Sequence, residues 1–235
     1  MLTVVPTPIG NLQDITLRAL QAFREADLIA AEDTRRSAIL LLHHDIRKPM
    51  ISLHEHNEEA RTAELVKEVA GGKSVVLITD AGMPGISDPG FRLIRACRER
   101  GLVVNVLPGP SAVLTALVGS GLPTSAFHFG GFLPVKGGRR RAELSRAVAR
   151  AETSVYFESP HRLLKTLDVL AEIAPEADVC VARELTKKFE EYRRGNPAEL
   201  FAHYDKHRAK GEITLVISHA VRGATNQLGA DVETG

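Results

Sequence analysis

The sequence predicts an α/β protein of two domains, and two observations carry this prediction. Short apolar runs typical of strands alternate with segments in which apolar residues recur at helical spacing, and this favours a mostly parallel sheet covered by helices. Glycine- and proline-rich turns directly follow two of the apolar runs, at residues 81–90 and 108–112. Because ligands bind at the carboxyl ends of strands in open α/β sheets, these turns indicate a binding site.

The first half of the chain alternates strand and helix signals in order. The predicted strands cover residues 2–5, 28–31, 49–53, 75–80 and 102–107. Helical spacing begins after Asp14 or Thr16, either of which suits an N-cap, and is seen again around residues 39–42. A third helix is predicted over residues 57–70, closed by two glycines, and one more follows each of the two turns.

A break in the pattern separates the second half. Residues 119–130 include four glycine or proline residues, counting Gly119 and Gly130, so we expect domains over residues 1–121 and 122–219. Strands are predicted at residues 127–132, 153–157, 178–181 and 212–217, with helices ending near residue 150 and over 161–173 and 197–208. Residues 220–235 are polar without apolar periodicity, which predicts a disordered tail.

Composition narrows the function classes. A net charge of +1 gives no general case for nucleic-acid binding, which must therefore rest on local patches. Cys97 and Cys180 lie far apart and outside any Cys-x-x-Cys pattern, which favours buried thiols in a reducing compartment. His54 and His56 alternate as metal ligands do, but such a pair is more often polar surface, and we expect no metal. No apolar run approaches the ~20 residues of a membrane span, and no signal peptide is visible. We therefore expect a cytoplasmic protein that does not contact a membrane.

Several polar residues are predicted at the carboxyl edge of the first sheet. Asp80 ends a strand, and its carboxylate suits the hydroxyls or amine of a ligand. Asp88 precedes Pro89 and is interpreted as the N-cap of the next helix. Ser111 and Ala112 look like a helix start, whose free N–H groups suit a carboxylate or serve only as a cap.

Two charged segments leave alternatives open. Residues 32–35, Glu-Asp-Thr-Arg, could position a substrate, or they could form a capped helix start with a surface ion pair of little energetic weight. The basic segment, residues 136–141, contains paired glycines and is predicted to be an exposed flexible loop that could grip phosphates.

Seven motifs in this order resemble one family, the ribosomal RNA small-subunit methyltransferase I family within the tetrapyrrole methylase superfamily. They are Pro-Thr-Pro-Ile-Gly-Asn-Leu-Gln-Asp-Ile-Thr (6–16), Glu-Asp-Thr-Arg (32–35), the loop 80–90, Leu-Pro-Gly-Pro-Ser-Ala (107–112), Gly-Phe-Leu-Pro (131–134), Glu-Ser-Pro-His-Arg (158–162) and Ala-Arg-Glu-Leu-Thr-Lys-Lys-Phe-Glu (182–190). The resemblance extends over residues 2–218.

The resemblance implies a two-domain tetrapyrrole-methylase-like α/β fold, with a mostly parallel sheet in the first domain and a mixed sheet in the second. It implies that S-adenosylmethionine binds between the domains and that a homodimer methylates the ribose 2′-hydroxyl of a cytidine in small-subunit (16S) RNA, free or in the 30S particle. By motif position it assigns the cofactor to Pro8, Asp80, Gly82, Met83, Ser111, Ala112, Phe157, Leu185, Gly211, Glu212, Ile213 and Thr214.

A ribose hydroxyl is a poor nucleophile until it loses its proton, so a proton acceptor is expected. The candidates are Glu32, Asp33 and Glu158. The residues expected to contact RNA are Arg35, Lys136, Arg139, Arg140, Arg141, Arg183 and Lys187. Two other functions stay open: a small-molecule methylase of the precorrin type, and a ribosome assembly factor without catalytic activity.

Overall fold

The computed structural model describes residues 1–219, which form two compact units. The first unit contains Met1–Thr115 and, from much later in the chain, Glu184–Glu190; the second contains Ala116–Arg183 and the residues from Glu191 on. The predicted tail, residues 220–235, lies outside the described residues.

The first unit contains a sheet of five parallel strands in the order β3-β2-β4-β1-β5. The strands are β1 (Leu2–Val4), β2 (Leu28–Ala31), β3 (Met50–Ser52), β4 (Val75–Ile78) and β5 (Val104–Val106). Every residue of the central strand β4 is buried, as expected for a parallel strand covered on both faces. The prediction of a parallel sheet in this half is confirmed.

Helices cover both faces of this sheet. They are α1 (Leu17–Glu25), α2 (Thr34–His43), α3 (Glu58–Ala70) and α4 (Phe91–Glu99), with a short 3₁₀ helix at Leu12–Asp14. The next helix, α5 (Ala112–Gly119), begins in the first unit and ends in the second. Val75 and Leu77 pack with α3 and α4, whereas Val76 and Ile78 pack with α1 and α2. This alternation follows from the two-residue period of side chains along a strand.

The second unit contains a mixed sheet in the order β6-β7-β10-β8-β9. Its strands are β6 (Phe127–Phe132), β7 (Thr153–Glu158), β8 (Asp178–Arg183), β9 (Glu191–Gly195) and β10 (Ile213–Ser218), and its helices are α6 (Gly137–Ala149), α7 (Leu163–Ile173) and α8 (Pro197–Lys206). β6 and β7 pair in parallel and the other pairs are antiparallel, so the mixed sheet is also confirmed.

Two local predictions in this unit were wrong. Strand β9, Glu-Tyr-Arg-Arg-Gly, was not predicted because an edge strand of charged residues has no apolar alternation. The basic segment is not a flexible loop, since α6 begins at Gly137 and includes Arg139, Arg140 and Arg141. Arg140 is only 6% exposed. Among residues 1–219, no helix has both the length and the apolar character needed to cross a membrane.

Candidate functional site at the carboxyl edge of the first sheet

The turn after β1 and the loop after β4 are joined at the carboxyl edge of the first sheet. Thr7 and Gly82 exchange two backbone hydrogen bonds, from Thr7 N to Gly82 O at 3.0 Å and from Gly82 N to Thr7 O at 2.9 Å. The Thr7 hydroxyl also donates to the carbonyl oxygen of Thr79 at 2.9 Å. Pro8 is buried within this turn. The structure therefore brings the predicted residues Pro8, Asp80 and Gly82 to one edge.

Asp80 links the loop after β4 to the segment after β2. Its Oδ1 accepts a hydrogen bond from Asp33 N at 3.2 Å, while Asp80 N donates to Glu32 Oε2 at 3.3 Å. Its Oδ2 lies 3.0 Å from Nη1 of Arg36, whose side chain is 70% exposed. Arg36 was not among the residues predicted for the site. Its position in the first turn of α2 could have indicated it, because a long side chain there can reach back to the start of the helix.

The carboxylates at this edge repel one another. Burial raises the pKa of Glu32, and the charge of Asp80 adds to that effect. Burial and the charge of Glu32 raise the pKa of Asp88 to about 6. Raised carboxyl pKa values mean that burial and the neighbouring charges disfavour the ionised carboxylates, and a cationic ligand beside them would favour the ionised form.

Asp88 does not cap α4, contrary to the prediction. The N-cap of α4 is Gly90, whose φ of 122° is accessible mainly to glycine. The carboxylate of Glu58, on α3, accepts hydrogen bonds from Gly90 N at 2.9 Å and from Arg92 N at 3.2 Å and satisfies the helix start. Asp88 is thereby left among the edge carboxylates.

Asp33 and Arg35 form a capped helix start with a surface ion pair, which is the structural one of the two alternatives left open by the sequence. Asp33 is the N-cap of α2 and accepts from Arg35 N at 2.9 Å. Its carboxylate also pairs with the Arg35 guanidinium, which is 89% exposed, and these hydrogen bonds hold the pKa of Asp33 well below its usual range. A strongly acidic, solvated carboxylate is a poor proton acceptor, so Asp33 does not suit the predicted role of base.

The turn after β5 meets the turn after β1. A Cβ on Gly109 would lie 3.0 Å from Cβ of Pro6, so the close approach of the two turns depends on this glycine. Ser111 directly precedes α5, where the sequence predicts a helix start, and its Oγ accepts from Leu114 N at 3.4 Å. The Ser111 hydroxyl therefore serves as a cap.

Glu184–Glu190, defined here as the anchored turn, also packs on the turn after β1. Thr186 Oγ1 accepts from Asn11 N at 3.1 Å, and a Cβ on Gly10 would lie 2.4 Å from Cγ of Lys187. Leu185 is buried in this turn. Lys187 pairs with Glu184 at 2.9 Å. The predicted residues Leu185 and Lys187 thus belong to the first unit.

In the second unit, the predicted cofactor residues lie on neighbouring strands. Thr214 pairs with Phe157, and Ile213 pairs with Glu158, at the end of β7 and the start of β10. Gly211 and Glu212 precede β10 and are exposed. The ring of Phe157 packs against Phe129 and Phe132, with centroids 5.1 and 5.2 Å away.

Glu158 is fully engaged and does not suit the role of base. Its carboxylate is inaccessible to solvent and lies 2.8 Å from Nη2 of Arg162. It also accepts from the Thr166 hydroxyl at 2.6 Å and from Ser159 N at 2.7 Å. Arg162 in turn donates to the Leu133 carbonyl oxygen, so the group stabilises the start of α7 against β6.

The residues predicted to bind RNA differ in their surroundings. Lys136 and Arg139 are exposed, and within residues 1–219 neither has an acidic partner. Arg141 pairs with Glu172, and Arg183 with Glu191. Buried Arg140 donates to the Val135 carbonyl oxygen. Across the described residues, no three potential ligands stand close enough together to hold a metal ion.

Comparison with known proteins defines the class first. Residues 1–200 match the family model described as Tetrapyrrole (Corrin/Porphyrin) Methylases. A solved structure of uroporphyrin-III C-methyltransferase from Thermus thermophilus, complexed with S-adenyl homocysteine, superposes with a TM-score of 0.64 at 16% identity, over 94% of this chain and 98% of that chain. The fold and the family match together make this chain a member of the tetrapyrrole methylases.

Curated relatives then define the branch. The chain is 47% identical to the ribosomal RNA small subunit methyltransferase I of Thermotoga maritima, over 92% of this chain and 97% of that protein. It is 45% identical to the enzyme of the same name from Pasteurella multocida, over 97% of this chain and 82% of that protein. The chain belongs to the ribosomal RNA small subunit methyltransferase I family, which confirms the resemblance given by its motifs.

Proposed function

We propose that this protein transfers the methyl group of S-adenosylmethionine to the ribose 2′-hydroxyl of a cytidine in 16S ribosomal RNA. The observation that carries the proposal is the 47% identity to a relative named for the small ribosomal subunit, over nearly the full length of both chains. The seven ordered motifs extend the proposal to the 2′-hydroxyl of a cytidine. No feature of the described residues favours a precorrin over RNA as substrate.

The carboxyl edge of the first sheet fits S-adenosylmethionine in shape and charge. Gly82 and Gly85 have φ values of 78° and 82°, and a Cβ on Gly82 would meet only Ile9 within 4 Å, so a ligand can approach this backbone closely. Glu32, Asp80 and Asp88 supply the negative charge that suits a sulfonium or an amine. Asp80 would hold the ligand's polar groups, with Pro8, Gly82, Met83, Ser111 and Ala112 around it. Phe157, Leu185 and Gly211–Thr214 stay part of the proposed cofactor set through the family motifs.

When bound, S-adenosylmethionine supplies an already activated methyl group. The protein must then orient the ribose hydroxyl and accept its proton. Glu32 is the candidate that fits this task, because its pKa is raised, it is half-buried and it stands beside Asp80. Asp33 is too acidic and Glu158 is fully occupied by its hydrogen bonds.

The start of α6 fits an RNA backbone. Lys136 is the N-cap of α6, and no acidic residue lies in its first turn. Basic side chains at the start of a helix lie next to the positive end of the helix dipole, which is unfavourable. A phosphate bound at this place would interact favourably with the basic side chains and with the helix dipole. We assign RNA contact to Lys136 and Arg139 first, and to Arg141, Arg35, Arg183 and Lys187 only where RNA displaces their acidic partners. Arg140 is left out because it is buried.

We further propose that the protein is a homodimer that meets the assembling 30S particle in the cytoplasm. Leu114 and Val118 lie one turn apart on α5 and are 51% and 70% exposed. An apolar face of this kind on a helix without charged residues suits a subunit interface.

The proposal is tested by mass spectrometry of small-subunit RNA treated with the protein and S-adenosylmethionine. We expect one cytidine to gain a methyl group on its ribose, and no methylation when Asp80→Ala protein is used. Incubation with a precorrin serves as the counter-test. Methyl transfer to the precorrin alone, or RNA binding without any transfer, would refute the proposal.

A further inference from the structure

The anchored turn presents an aromatic ring and a cation together at its tip. Phe189 is 65% exposed, so most of this phenyl ring is accessible to a ligand. The ammonium of Lys188 lies 5.6 Å from the centroid of that ring. Both side chains are exposed at the surface of the described residues, so a ligand can reach the ring and the ammonium together.

The backbone below this tip is held in a costly conformation. Glu184 and Thr186 have φ values of 49° and 63°, in the left-handed region that residues with a Cβ rarely adopt. Thr186 N donates to the Glu190 carboxylate at 2.6 Å, and Glu190 N donates to the Lys187 carbonyl oxygen at 3.1 Å. Such strain persists where the surrounding structure enforces it, and it clusters at functional sites.

The anchored turn is also joined to the candidate site. Its Thr186 side chain bonds to Asn11, in the turn whose Thr7 exchanges backbone hydrogen bonds with Gly82. Gly10 is required between them, because a Cβ there would also lie 2.9 Å from the carbonyl oxygen of Leu185. A tip fixed in this way loses little conformational entropy when it binds a ligand.

We propose that Phe189 is a stacking platform for a base of the RNA substrate and that Lys188 contacts an adjacent phosphate. The inference rests on the proposed function, because an RNA substrate offers unpaired bases that can stack on an aromatic ring, with phosphates beside them. Unstacked bases are recognised by stacking on aromatic side chains, and a neighbouring cation binds the backbone. Phe189 would thus be a positioning residue rather than a catalytic one.

The test measures RNA affinity separately from methyl transfer. Filter binding with a small-subunit RNA transcript compares the wild-type protein with Phe189→Ala, Phe189→Trp and Lys188→Ala, and calorimetry measures S-adenosylmethionine affinity for each. Phe91→Ala is the matched control, because that ring is 62% exposed and lies at the start of α4. Sedimentation of every variant records its oligomeric state.

We expect Phe189→Ala to weaken RNA binding roughly 10- to 100-fold, with cofactor affinity and oligomeric state unchanged. Phe189→Trp should stay within a few-fold of wild type, Lys188→Ala should lose about tenfold or less and reduce the salt dependence, and Phe91→Ala should match wild type. Wild-type RNA affinity in Phe189→Ala overturns the inference, as does a loss that the Trp variant fails to rescue. A loss that accompanies dissociation of the protein also overturns it, because the ring would then be a subunit contact.

Failure of the inference and failure of the proposed function remain distinguishable. A wild-type protein that methylates RNA, with unaltered RNA affinity in Phe189→Ala, refutes the stacking platform alone. A wild-type protein that binds RNA through Phe189 but transfers no methyl group refutes the proposed reaction and supports the platform. A wild-type protein that does not bind RNA refutes both.

Discussion

A group of carboxylates in the first unit and the single carboxylate of Glu158 in the second have the same chemistry and opposite surroundings. Glu158 is inaccessible to solvent and is compensated by Arg162, Thr166 and a backbone N–H. Glu32 stands instead beside Asp80 and Asp88, with only partial compensation, and burial raises its pKa. A carboxylate with all its hydrogen bonds made stabilises a fold, whereas a group of carboxylates with charge in excess is suited to bind a cationic ligand or a proton.

The largest expected effect is on stability, from Glu158→Ala. The change leaves Arg162, whose side chain is 19% exposed, without its partner, and removing one member of a buried pair costs about 3–5 kcal/mol. Urea titration should show this loss in the free energy of unfolding, with about half of it recovered in Glu158→Gln. A loss below about 1 kcal/mol would contradict a structural role for Glu158.

Asp80→Ala tests the carboxylates at the edge of the first sheet. We expect S-adenosylmethionine binding to be lost, at least ~100-fold or about 2.7 kcal/mol, because the carboxylate that would hold its polar groups is removed. Calorimetry measures the affinity. Arg36→Ala is the control, since it breaks the 3.0 Å ion pair but keeps the carboxylate. Equal losses in the two variants would show that Asp80 acts only through its ion pair with Arg36 and not by holding the ligand.

Glu32→Gln separates proton transfer from cofactor binding. A positioned base contributes typically 10²-fold or more, so kcat should fall roughly 100-fold with KM for S-adenosylmethionine nearly unchanged. Single-turnover methylation of small-subunit RNA provides the measurement. Unaltered kcat would exclude Glu32 as the proton acceptor.

Most of the fold could be predicted from the sequence, because it follows from apolar period and turn chemistry. Continuous apolar runs such as residues 75–78, each followed by a turn, are typical of strands in a covered parallel sheet, and this run was predicted as a strand. Strand β9 was not predicted, because a strand is recognised in sequence by the alternation of apolar and polar residues and β9 lacks it. This edge strand is stabilised by its backbone pairing with β8 instead.

The candidate site could be predicted less well than the fold, because the role of each side chain depends on hydrogen-bond and packing partners that are distant in sequence. The residues Asp88-Pro89 have the pattern of a helix start, yet Glu58, 32 residues before Gly90, supplies the capping carboxylate. Arg139, Arg140 and Arg141 look equivalent in sequence, yet their places around one helix make only Arg140 buried. Motif order predicts which loops form the site, and the structure shows which of their side chains already have partners within the fold.

Asp88→Asn tests how the edge carboxylates change the stability of the protein with pH. With a pKa of about 6 in the folded protein, against a usual value of 3.8, the folded state retains a proton that the unfolded state has lost. Stability from this group is therefore fully present below about pH 4 and falls as the pH rises to about 6 and beyond. The neutral Asn should match wild type near pH 4 and be more stable by roughly 1–2 kcal/mol at pH 8, since solvent screens part of the effect of a half-buried group. A constant difference between the two pH values would contradict this interpretation.

The smallest expected effect is on RNA affinity, from Arg139→Glu. Arg139 is exposed at the start of α6, so reversal of its charge should weaken RNA binding about three- to tenfold and lower the salt dependence, while cofactor affinity stays unchanged. Arg208→Glu makes the same change of net charge at an exposed position on the same unit, where Arg208 already pairs with Asp205. Equal losses in the two variants would mean that RNA responds to the total charge of the protein. A loss confined to Arg139→Glu would place the RNA backbone at the start of α6, on residues that, unlike Glu158 and its partners, are not already engaged within the fold.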